Sequence, residues 1–237
     1  MITTRLGQRM ASRAGVLLVL VLAFTVLLVI VELKWGPVHR LDVRIDDSLH
    51  RTAVTDRDQT RWWRWVSNVL SPTVLRVLAL GAAVTLWLRG RRPAAAFVVV
   101  AMAGAAALET VAKGLVGRAR PVFSDPVAHA AGASFPSGHA MTSLTAFGLV
   151  IVMVAPKRRL AAIAVAVVAV GLVGFSRLAL GVHYLSDVVG GWLLATAWLF
   201  AVDWFFRVRA ADRSSGGSKR RSARPAGPPG PGRPPGR

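Results

Sequence analysis

Apolar residues occur along this chain in long, nearly unbroken blocks that are separated by short polar or basic segments. A helix on the surface of a water-soluble domain would instead repeat its apolar positions every three to four residues. Blocks of about 17–20 residues are long enough to cross a bilayer as helices. The pattern predicts an all-α, polytopic membrane protein with a bundle of six transmembrane helices, at 14–33, 70–88, 94–113, 138–155, 160–176 and 187–206.

Composition agrees with this prediction. Of the 237 residues, 54% are hydrophobic, and the mean hydropathy is +0.50, which is high for a soluble domain. We expect a short N-terminal segment (1–13), one membrane domain (14–206) and a basic tail (207–237). The first apolar block has a basic flank but no small-residue cleavage site after it, so we interpret it as a retained span. The tail is so rich in Ser, Gly, Pro and Arg that we expect it to be disordered.

The basic residues between the spans predict the topology. Cytoplasmic connections carry an excess of Lys and Arg, and with six spans four basic segments fall on one side: Arg5, Arg9 and Arg13; Arg89, Arg91 and Arg92; Lys157, Arg158 and Arg159; Arg207 and Arg209. Both termini are therefore predicted to be cytoplasmic. Segments 34–69, 114–137 and 177–186 are predicted to face the opposite, extracytoplasmic side.

The formal net charge of +19 fits anionic lipid head groups and topology better than a nucleic-acid partner, because the charges lie between spans and in the tail. The absence of cysteine excludes disulfides, thiolate metal sites and cysteine nucleophiles. In the segment 34–69, Trp62, Trp63 and Trp65 predict an interfacial aromatic belt or, alternatively, an aromatic platform for substrate. Arg76, near the outer end of the second span, is expected to reach back to the interface.

Three polar segments at the mouths of spans are the candidates for chemistry, since ionisable residues are costly there. The first runs from Lys113 to Pro121 and contains Arg118 and Arg120. Arginine presents a planar fork to phosphate oxygens, and lysine a compact charge. An interfacial basic loop that only anchors the protein, particularly through Arg118, is the alternative.

The second segment is Ser134-Phe-Pro-Ser137-Gly138-His139, at the start of the fourth span. Free backbone N–H groups at a helix start favour an anion, and Gly138 allows close approach of a ligand. Ser137 adds a hydroxyl, and His139 can act as a general acid. A capped helix with a surface histidine is the bland alternative.

The third segment runs from Ser176 and Arg177 to His183 and Asp187. His183 and Asp187 are four residues apart, so on a helix they share one face. A carboxylate bonded to one ring nitrogen leaves the other free to attack. A purely structural hydrogen bond is the alternative. Glycines 190 and 191 predict tight helix packing beside this pair.

All three segments fall on the same predicted side, and no other group of residues competes. The remaining histidines, His39, His50 and His129, lack comparable partners in the sequence. Glu109 precedes Lys113 by four residues and is expected to pair with it and orient it, or to contact substrate.

Together the segments resemble the type 2 phosphatidic acid phosphatase superfamily: Lys-x6-Arg-Pro, then Pro-Ser-Gly-His, then Ser-Arg-x5-His-x3-Asp, with no departure at any motif position. The resemblance implies a phosphate cradle made of Lys113, Arg120, Arg177, Ser137 and Gly138. It implies that His183 is the nucleophile, that Asp187 orients it and that His139 protonates the leaving oxygen. Ser176 and Glu109 would support these residues. No metal or other cofactor is implied.

The function predicted is a metal-independent phosphatase of bacterial membrane lipid metabolism, acting on a lipid phosphate or pyrophosphate in the cell envelope. Candidate substrates are polyprenyl pyrophosphate, phosphatidic acid and phosphatidylglycerol phosphate. A phosphotransferase that passes the phosphoryl group to a sugar or lipid acceptor remains an alternative, as does a transporter or lipid-binding protein of the same fold. Vanadium peroxidase chemistry is disfavoured by the membrane-spanning composition.

Overall fold

The computed structural model describes the backbone of residues 2–222 and the side chains of residues 12–209. Within this range the protein is all-helical, as predicted, and contains no β-strand. The helices are α1 (Ile2–Glu32), α2 (Gly36–Thr55), α3 (Arg57–Val69), α4 (Pro72–Leu88), α5 (Arg92–Val116), α6 (Gly138–Met153), α7 (Arg159–Ala179) and α8 (Leu185–Ser222). A short 3₁₀ turn, Pro156–Arg158, joins α6 to α7.

Five helical stretches in the described part of the chain are long and apolar enough to cross a membrane: Ser12–Glu32, Arg57–Leu88, Arg92–Val116, Pro156–Ala179 and Leu185–Arg209. They confirm the predicted multi-pass character at five of the six expected positions. The remaining position is occupied by α6, which is apolar but has only 16 residues. At 1.5 Å per residue it is about 24 Å long, less than the ~30 Å of a hydrocarbon core.

The polar segment between the first two predicted spans forms α2 and α3. Asp56 caps α3 by accepting a hydrogen bond from the Gln59 backbone N–H (2.9 Å). Trp62 and Trp65 of α3 stack on each other with ring centroids 5.0 Å apart, and both are about half exposed (51% and 54%), as an interfacial belt requires. Trp63 differs, since it packs edge-on against Phe175 of α7.

The paired glycines at the start of α8 allow the close packing that the sequence predicted. A Cβ added to Gly190 would lie 2.5 Å from the ring of Phe135, and one added to Gly191 would lie 2.7 Å from the carbonyl oxygen of Ser137. These distances leave no room for a side chain. The second turn of α8 therefore lies directly against Phe135 and Ser137, at the start of α6.

The chain divides into two compact units after Asp203. The first unit contains all the residues that were predicted to carry chemistry. The second begins at Trp204 and consists, as far as it is described, of the C-terminal part of α8. This helix continues to Ser222, while the rest of the tail, 223–237, lies outside the described residues, so its disorder stays a prediction.

Candidate active site

The three polar segments meet at one end of the helix bundle. Lys113 lies in the last turn of α5, His139 in the first turn of α6, Arg177 in the last turn of α7 and Asp187 in the first turn of α8. The ionisable neighbours of His139 are Arg177, His183 and Lys113, so each of the other two segments contributes at least one. The predicted convergence of these segments is thus present in the structure.

His183 and Asp187 form the buried centre of this cluster. Their side chains are almost completely inaccessible, and Nδ1 of His183 lies 3.4 Å from Oδ2 of Asp187. The contact is close, but Nδ1 makes no hydrogen bond. Burial lowers the pKa of His183 to about 4, although the Asp187 carboxylate acts to raise it. The imidazole is therefore neutral at physiological pH, which is the form with a free electron pair.

The tautomer of His183 follows from its neighbour on the other side. Nε2 lies 3.0 Å from Nη1 of Arg120. A guanidinium can only donate hydrogen bonds, so Nε2 of the neutral ring must be the acceptor and Nδ1 must carry the proton. The lone pair of Nε2 consequently faces the arginine, and the Nδ1–H faces Asp187.

Arg120 also organises the loop between α5 and α6 that surrounds it. Its Nε and Nη2 groups donate to the carbonyl oxygens of Gly132 (3.0 Å), Ala131 (3.0 Å) and Ala133 (3.2 Å), and Nη1 donates to that of Val182 (2.7 Å). Burial lowers the pKa of Arg120 without removing its charge at neutral pH. The side chain therefore both supports the loop and presents a cation next to Nε2 of His183.

The carboxylate of Asp187 is fixed by donors from three other residues. Oδ1 accepts a hydrogen bond from Nη1 of Arg118 (2.7 Å), and Oδ2 accepts from the hydroxyl of Ser134 and from the backbone N–H of Tyr184 (2.9 Å). In addition, the Asp187 carbonyl accepts from the Ser137 backbone N–H (2.9 Å). These bonds hold an ionised carboxylate at one position behind the imidazole.

Arg118 lies in the first polar segment but at none of the motif positions, and it is a central residue of the cluster. Its Nη2 donates to Oδ2 of Asp42 on α2 (2.8 Å), and its Nη1 donates to Asp187 and to the hydroxyl of Ser186 (2.7 Å). Burial acts to lower the pKa of Arg118, but Asp187 and Asp42 outweigh it and raise the pKa. The interpretation of Arg118 as a membrane anchor does not fit this buried bridge between two carboxylates.

Asp42 has a matching set of bonds on α2. It is buried, and besides Arg118 it accepts from the backbone N–H of Ser186 (3.0 Å) and from the Ser186 hydroxyl. The signal available in the sequence was the spacing of Asp42, Asp46 and His50, which places the three on one face of a helix. This face packs inward, so α2 belongs to the site and not only to the membrane surface.

Lys113 and Glu109 form the pair that the sequence predicted, with Nζ 2.8 Å from Oε1. The other carboxylate oxygen, Oε2, lies 3.1 Å from Nη2 of Arg76 in α4. The same Arg76 nitrogen donates to the hydroxyl of Thr142 (3.3 Å). Arg76 therefore pairs with a carboxylate that the sequence did not predict as its partner, while its side chain stays 41% exposed; the expectation that it reaches back to the interface stays a prediction.

Arg177 is nearly buried (8% exposed) and its Nη1 donates to the hydroxyl of Ser67 at the end of α3. The backbone of Ser67 is also a hydrogen-bond partner of His139. One residue of α3 therefore contacts both a predicted phosphate-binding side chain and the predicted general acid. Nothing in the spacing of the motifs pointed to Ser67, because it lies in segment 34–69, which contains none of the motif positions.

The remaining predicted residues have different surroundings. Ser137 is completely buried and its hydroxyl oxygen has no hydrogen-bond partner. A Cβ on Gly138 would collide with the Glu109 carboxylate, so the glycine gives room to this side chain, and the close approach of a ligand stays a prediction. Ser176 donates to the Val173 carbonyl of its own helix (2.7 Å), so no contact to the cluster supports the role expected for it.

The three other histidines do not join the cluster. His129 is exposed on the outer loop, and His39 lies on α2 beside a cavity of about 440 Å³ that Asp42, Arg118 and Tyr184 also line. His50 stacks on Phe123 with ring centroids 3.7 Å apart. Over the part of the chain that the structure describes, no three His, Cys, Asp or Glu side chains are grouped to hold a metal ion.

Comparison with known proteins identifies relatives of this site. The model of the PAP2 superfamily matches residues 94–210. Phosphatidylglycerophosphatase B of Bacillus subtilis is 36% identical over 94 residues, which are 37% of this chain and 45% of that protein. Lipid A 1-phosphatase of Rhizobium etli is 37% identical over 99 residues, or 36% of this chain and 40% of that protein. The matched region thus spans less than half the length of either relative.

A solved structure extends the similarity to most of the fold. The crystal structure of a transmembrane PAP2 type phosphatidylglycerolphosphate phosphatase from Bacillus subtilis superimposes with a TM-score of 0.70 at 25% identity, covering 80% of this chain and 94% of that one. The superfamily match includes every residue that the sequence analysis placed at the site. Residues 94–210 of this chain therefore belong to the PAP2 superfamily.

Proposed function

We propose that this protein is a multi-pass membrane phosphatase that hydrolyses the phosphate or pyrophosphate group of a lipid through a phosphohistidine intermediate on His183. The observation that carries the proposal is the position of the buried His183 imidazole, with Nε2 3.0 Å from Nη1 of Arg120 and Nδ1 3.4 Å from Oδ2 of Asp187. A nucleophilic nitrogen that faces a phosphate-binding cation, with a carboxylate behind it, is the arrangement needed for attack on phosphorus.

Unpaired polar atoms support a phosphate in front of His183. The hydroxyl of Ser137 and the Nε of Arg177 are both buried and make no hydrogen bond. Buried polar groups without partners are rare in native proteins and call for an explanation. Phosphate oxygens would accept from Arg177 and Ser137, while Arg120 and Lys113 supply two further cations.

In the first step the phosphate oxygens take over the Arg120 N–H from Nε2 of His183, the freed lone pair of Nε2 attacks phosphorus, and the bond between phosphorus and the lipid oxygen breaks. His139 gives its proton to that leaving oxygen, so the lipid departs as an alcohol or a lower phosphate. The positive charge on the phosphorylated imidazole is balanced by Asp187, which Arg118, Ser134 and Tyr184 hold in place. Cationic stabilisation of the transferring group provides most of the catalysis.

In the second step a water molecule attacks the phosphorus of phosphohistidine. Its proton passes to His139, the bond between phosphorus and Nε2 breaks, and inorganic phosphate leaves. Both residues return to their starting states. Transfer to water makes the protein a hydrolase; transfer to a sugar or lipid alcohol would make it a phosphotransferase by the same chemistry.

We place the site at the extracytoplasmic surface of a six-span bundle in the cell membrane, with α6 as the short sixth span and both termini in the cytoplasm. The four basic segments support this orientation, since the positive-inside rule places them in the cytoplasm. The names of the curated relatives support a phosphorylated lipid as substrate, since phosphatidylglycerophosphatase and lipid A 1-phosphatase each act on one by name.

A substrate panel with purified, detergent-solubilised protein tests the reaction. The panel comprises polyprenyl pyrophosphate, phosphatidic acid, phosphatidylglycerol phosphate and lipid A 1-phosphate, each assayed in chelator for free inorganic phosphate. We expect release from at least one lipid, its abolition by His183→Ala, and retention of activity in the matched control His129→Ala on the exposed loop. Full activity of His183→Ala would refute the mechanism.

Two further measurements address the alternatives. Phosphate that appears on an added sugar or lipid alcohol and not in solution would favour the phosphotransferase. A reporter on the C-terminus should be inaccessible from outside intact cells, and an external signal would contradict the six-span orientation.

A further inference from the structure

Arg76 has surroundings that neither its helix nor the phosphatase motifs explain. It lies in the second turn of α4, an apolar helix on which Val74, Val77 and Leu78 are exposed and Leu75 is buried, and its own side chain is 41% exposed. A charged side chain on such a helix is costly unless it has a function or a partner. Its guanidinium instead points into the bundle, where Nη2 contacts Glu109 and Thr142 and Nε is buried without a hydrogen-bond partner.

The partner of Arg76 is a carboxylate that borders the phosphate cradle. Glu109 binds Lys113 through Oε1 and Arg76 through Oε2, so one carboxylate lies between two cations. It also lies so close to Gly138 that a Cβ there would collide with it. Gly138 is the first residue of α6, and the start of this helix is where the proposed mechanism places phosphate.

This location creates an electrostatic problem. Glu109 positions Lys113, but its negative charge also cancels the positive charge of that lysine and would repel a phosphate dianion nearby. Arg76 supplies the missing positive charge: Glu109 and Lys113 together are neutral, and with Arg76 the group carries one net positive charge. Glu109 is 14% and Lys113 25% exposed, so solvent screens their charges only in part, while the side chain of Arg76 is 41% exposed.

We propose that Arg76 is a positioning residue of the phosphate site, which neutralises Glu109 so that this carboxylate can orient Lys113 without weakening the attraction for phosphate. The proposal rests on the proposed function, since it assigns Lys113 to phosphate binding. Arg76 acts through Glu109 and does not touch the reacting phosphoryl group. Its contribution is therefore to the binding of the phosphate, more than to the chemical step.

Charge-removal variants measured separately and together test this role. The variants are Arg76→Met, Arg76→Lys, Glu109→Gln and the double variant Arg76→Met/Glu109→Gln, with Arg61→Met as the matched control. Arg61 also pairs with a carboxylate, Asp58, but on the exposed surface of α3, where an ion pair contributes little. The readouts are KM and kcat for the lipid that the wild type hydrolyses, and the affinity for orthovanadate, a phosphate analogue, from thermal-shift titration.

We expect Arg76→Met to raise KM and weaken vanadate binding about tenfold, with kcat changed about threefold or less, because an unpaired Glu109 repels the anion. Arg76→Lys keeps the charge and should stay within about threefold of wild type in both quantities. The double variant removes both charges and should bind vanadate better than Arg76→Met does. Recovery on removal of a second side chain is not expected from a residue that only fills space.

Three results would overturn the proposal: Arg76→Met indistinguishable from Arg61→Met, a double variant that binds vanadate no better than Arg76→Met, or a wild-type protein that binds no vanadate. Vanadate binding needs no turnover, so it tests Arg76 even if no lipid in the panel is hydrolysed. If Arg76→Met hydrolyses the lipid and binds vanadate as the wild type does, the proposed role of Arg76 is refuted and the proposed phosphatase activity is not. Should Arg76→Met fail to fold, the role of Arg76 is tested by the vanadate affinities of Arg76→Lys and of the double variant, each compared with that of Glu109→Gln.

Discussion

Arg118 is joined to Asp187 by a hydrogen bond of 2.7 Å between Nη1 and Oδ1, on the side of the carboxylate that faces away from His183. The same guanidinium reaches Asp42 on α2, and its plane lies over the ring of Tyr184, 4.2 Å from the centroid. Arg118 thus connects the outer helix α2 to the carboxylate behind the proposed nucleophile. This connection implies that activity depends on residues outside the three motifs.

The first prediction concerns Arg118→Met, which removes the charge but retains much of the side-chain volume. Asp187 then loses a charged hydrogen bond and Asp42 is left buried without its cation. We expect kcat to fall about 10- to 100-fold, the range found for residues that orient a functional group from behind, with KM changed much less. Steady-state kinetics in detergent measures both.

Arg61→Met is the control for this substitution, because its ion pair with Asp58 is exposed. Asp42→Asn should have a smaller effect than Arg118→Met, since the amide keeps an oxygen for Ser186 and leaves the bond from Arg118 to Asp187 in place. A large rise in KM with kcat preserved would show that Arg118 binds substrate and does not support Asp187.

The second prediction concerns the contact between α8 and the start of α6. Gly191→Ala places a Cβ 2.7 Å from the Ser137 carbonyl, a backbone atom that cannot rotate away. We expect a loss of about 1–3 kcal/mol in stability and a lower kcat, because Ser137 and Gly138 shift relative to His183. Thermal unfolding in detergent and phosphate release measure the two effects.

Gly171→Ala in α7 is the matched control, since nothing lies within 4 Å of the added Cβ. Alanine has the higher helix propensity, so this variant should be as stable as the wild type or more stable. Equal stability of the two alanine variants would contradict the packing seen here.

The sequence predicted much of this molecule because its strongest signals are local. Apolar blocks identify spans from length alone, and the pair Lys113 and Glu109 follows from helical spacing. The bridge from Arg118 to Asp42 joins residues 76 positions apart, and the contact from Arg76 to Glu109 joins residues 33 apart. Periodicity within one helix carries no information about which helix lies opposite, so these partners emerged only from the packed structure.

The role of α2 and α3 was missed for a related reason. Their mixed charges suggested a surface segment, and Trp62 and Trp65 do have exposed faces. An amphipathic helix at a membrane surface, however, looks the same in sequence as one whose polar face covers a polar site. Asp42 and Ser67 lie on that polar face and bind Arg118 and Arg177, respectively.

The third prediction concerns Asp46, which is buried on α2 with Oδ1 lacking a hydrogen-bond partner. Burial raises the pKa of Asp46 from 3.8 to about 7, and the nearby carboxylates of Asp47, Asp42 and Asp187 add to the effect. Between pH 3.8 and about 7, Asp46 is therefore protonated in the folded protein and ionised in the unfolded chain. Stability from this group is greatest below about pH 4 and declines as the pH rises through about 7.

Above about pH 7 the buried Asp46 is ionised, which costs stability, and Asp46→Asn removes this cost. We therefore expect the variant to unfold at a higher temperature than the wild type at pH 8. At pH 4 to 5, where Asp46 of the folded wild type is protonated, the two should unfold at similar temperatures (within ~1 pH unit of the pKa in the unfolded chain). Asp47→Asn is the control, because Asp47 is the exposed neighbour on the same helix. A gain in stability that is independent of pH, or equal for the two asparagine variants, would show that Asp46 does not titrate in this way.

The last prediction concerns the acid limb of the reaction. Because burial lowers the pKa of His183 from 6.5 to about 4, its Nε2 keeps its electron pair until the pH falls through about 4. We expect kcat/KM, corrected for the ionisation of the lipid phosphate measured by phosphorus NMR, to be lost near pH 4 and not near pH 6.5. Asp187 acts to raise the pKa of His183, so Asp187→Asn should move this limb to still lower pH while it reduces the rate. Phosphohistidine that forms in single turnovers is measured after an alkaline quench, because the N–P bond is stable in alkali and hydrolyses in acid, and this assay detects the weak activity of that variant. A limb that stays near pH 6.5 in the wild type would mean that the nucleophile is a solvated imidazole, which the buried geometry of His183 and Asp187 does not allow.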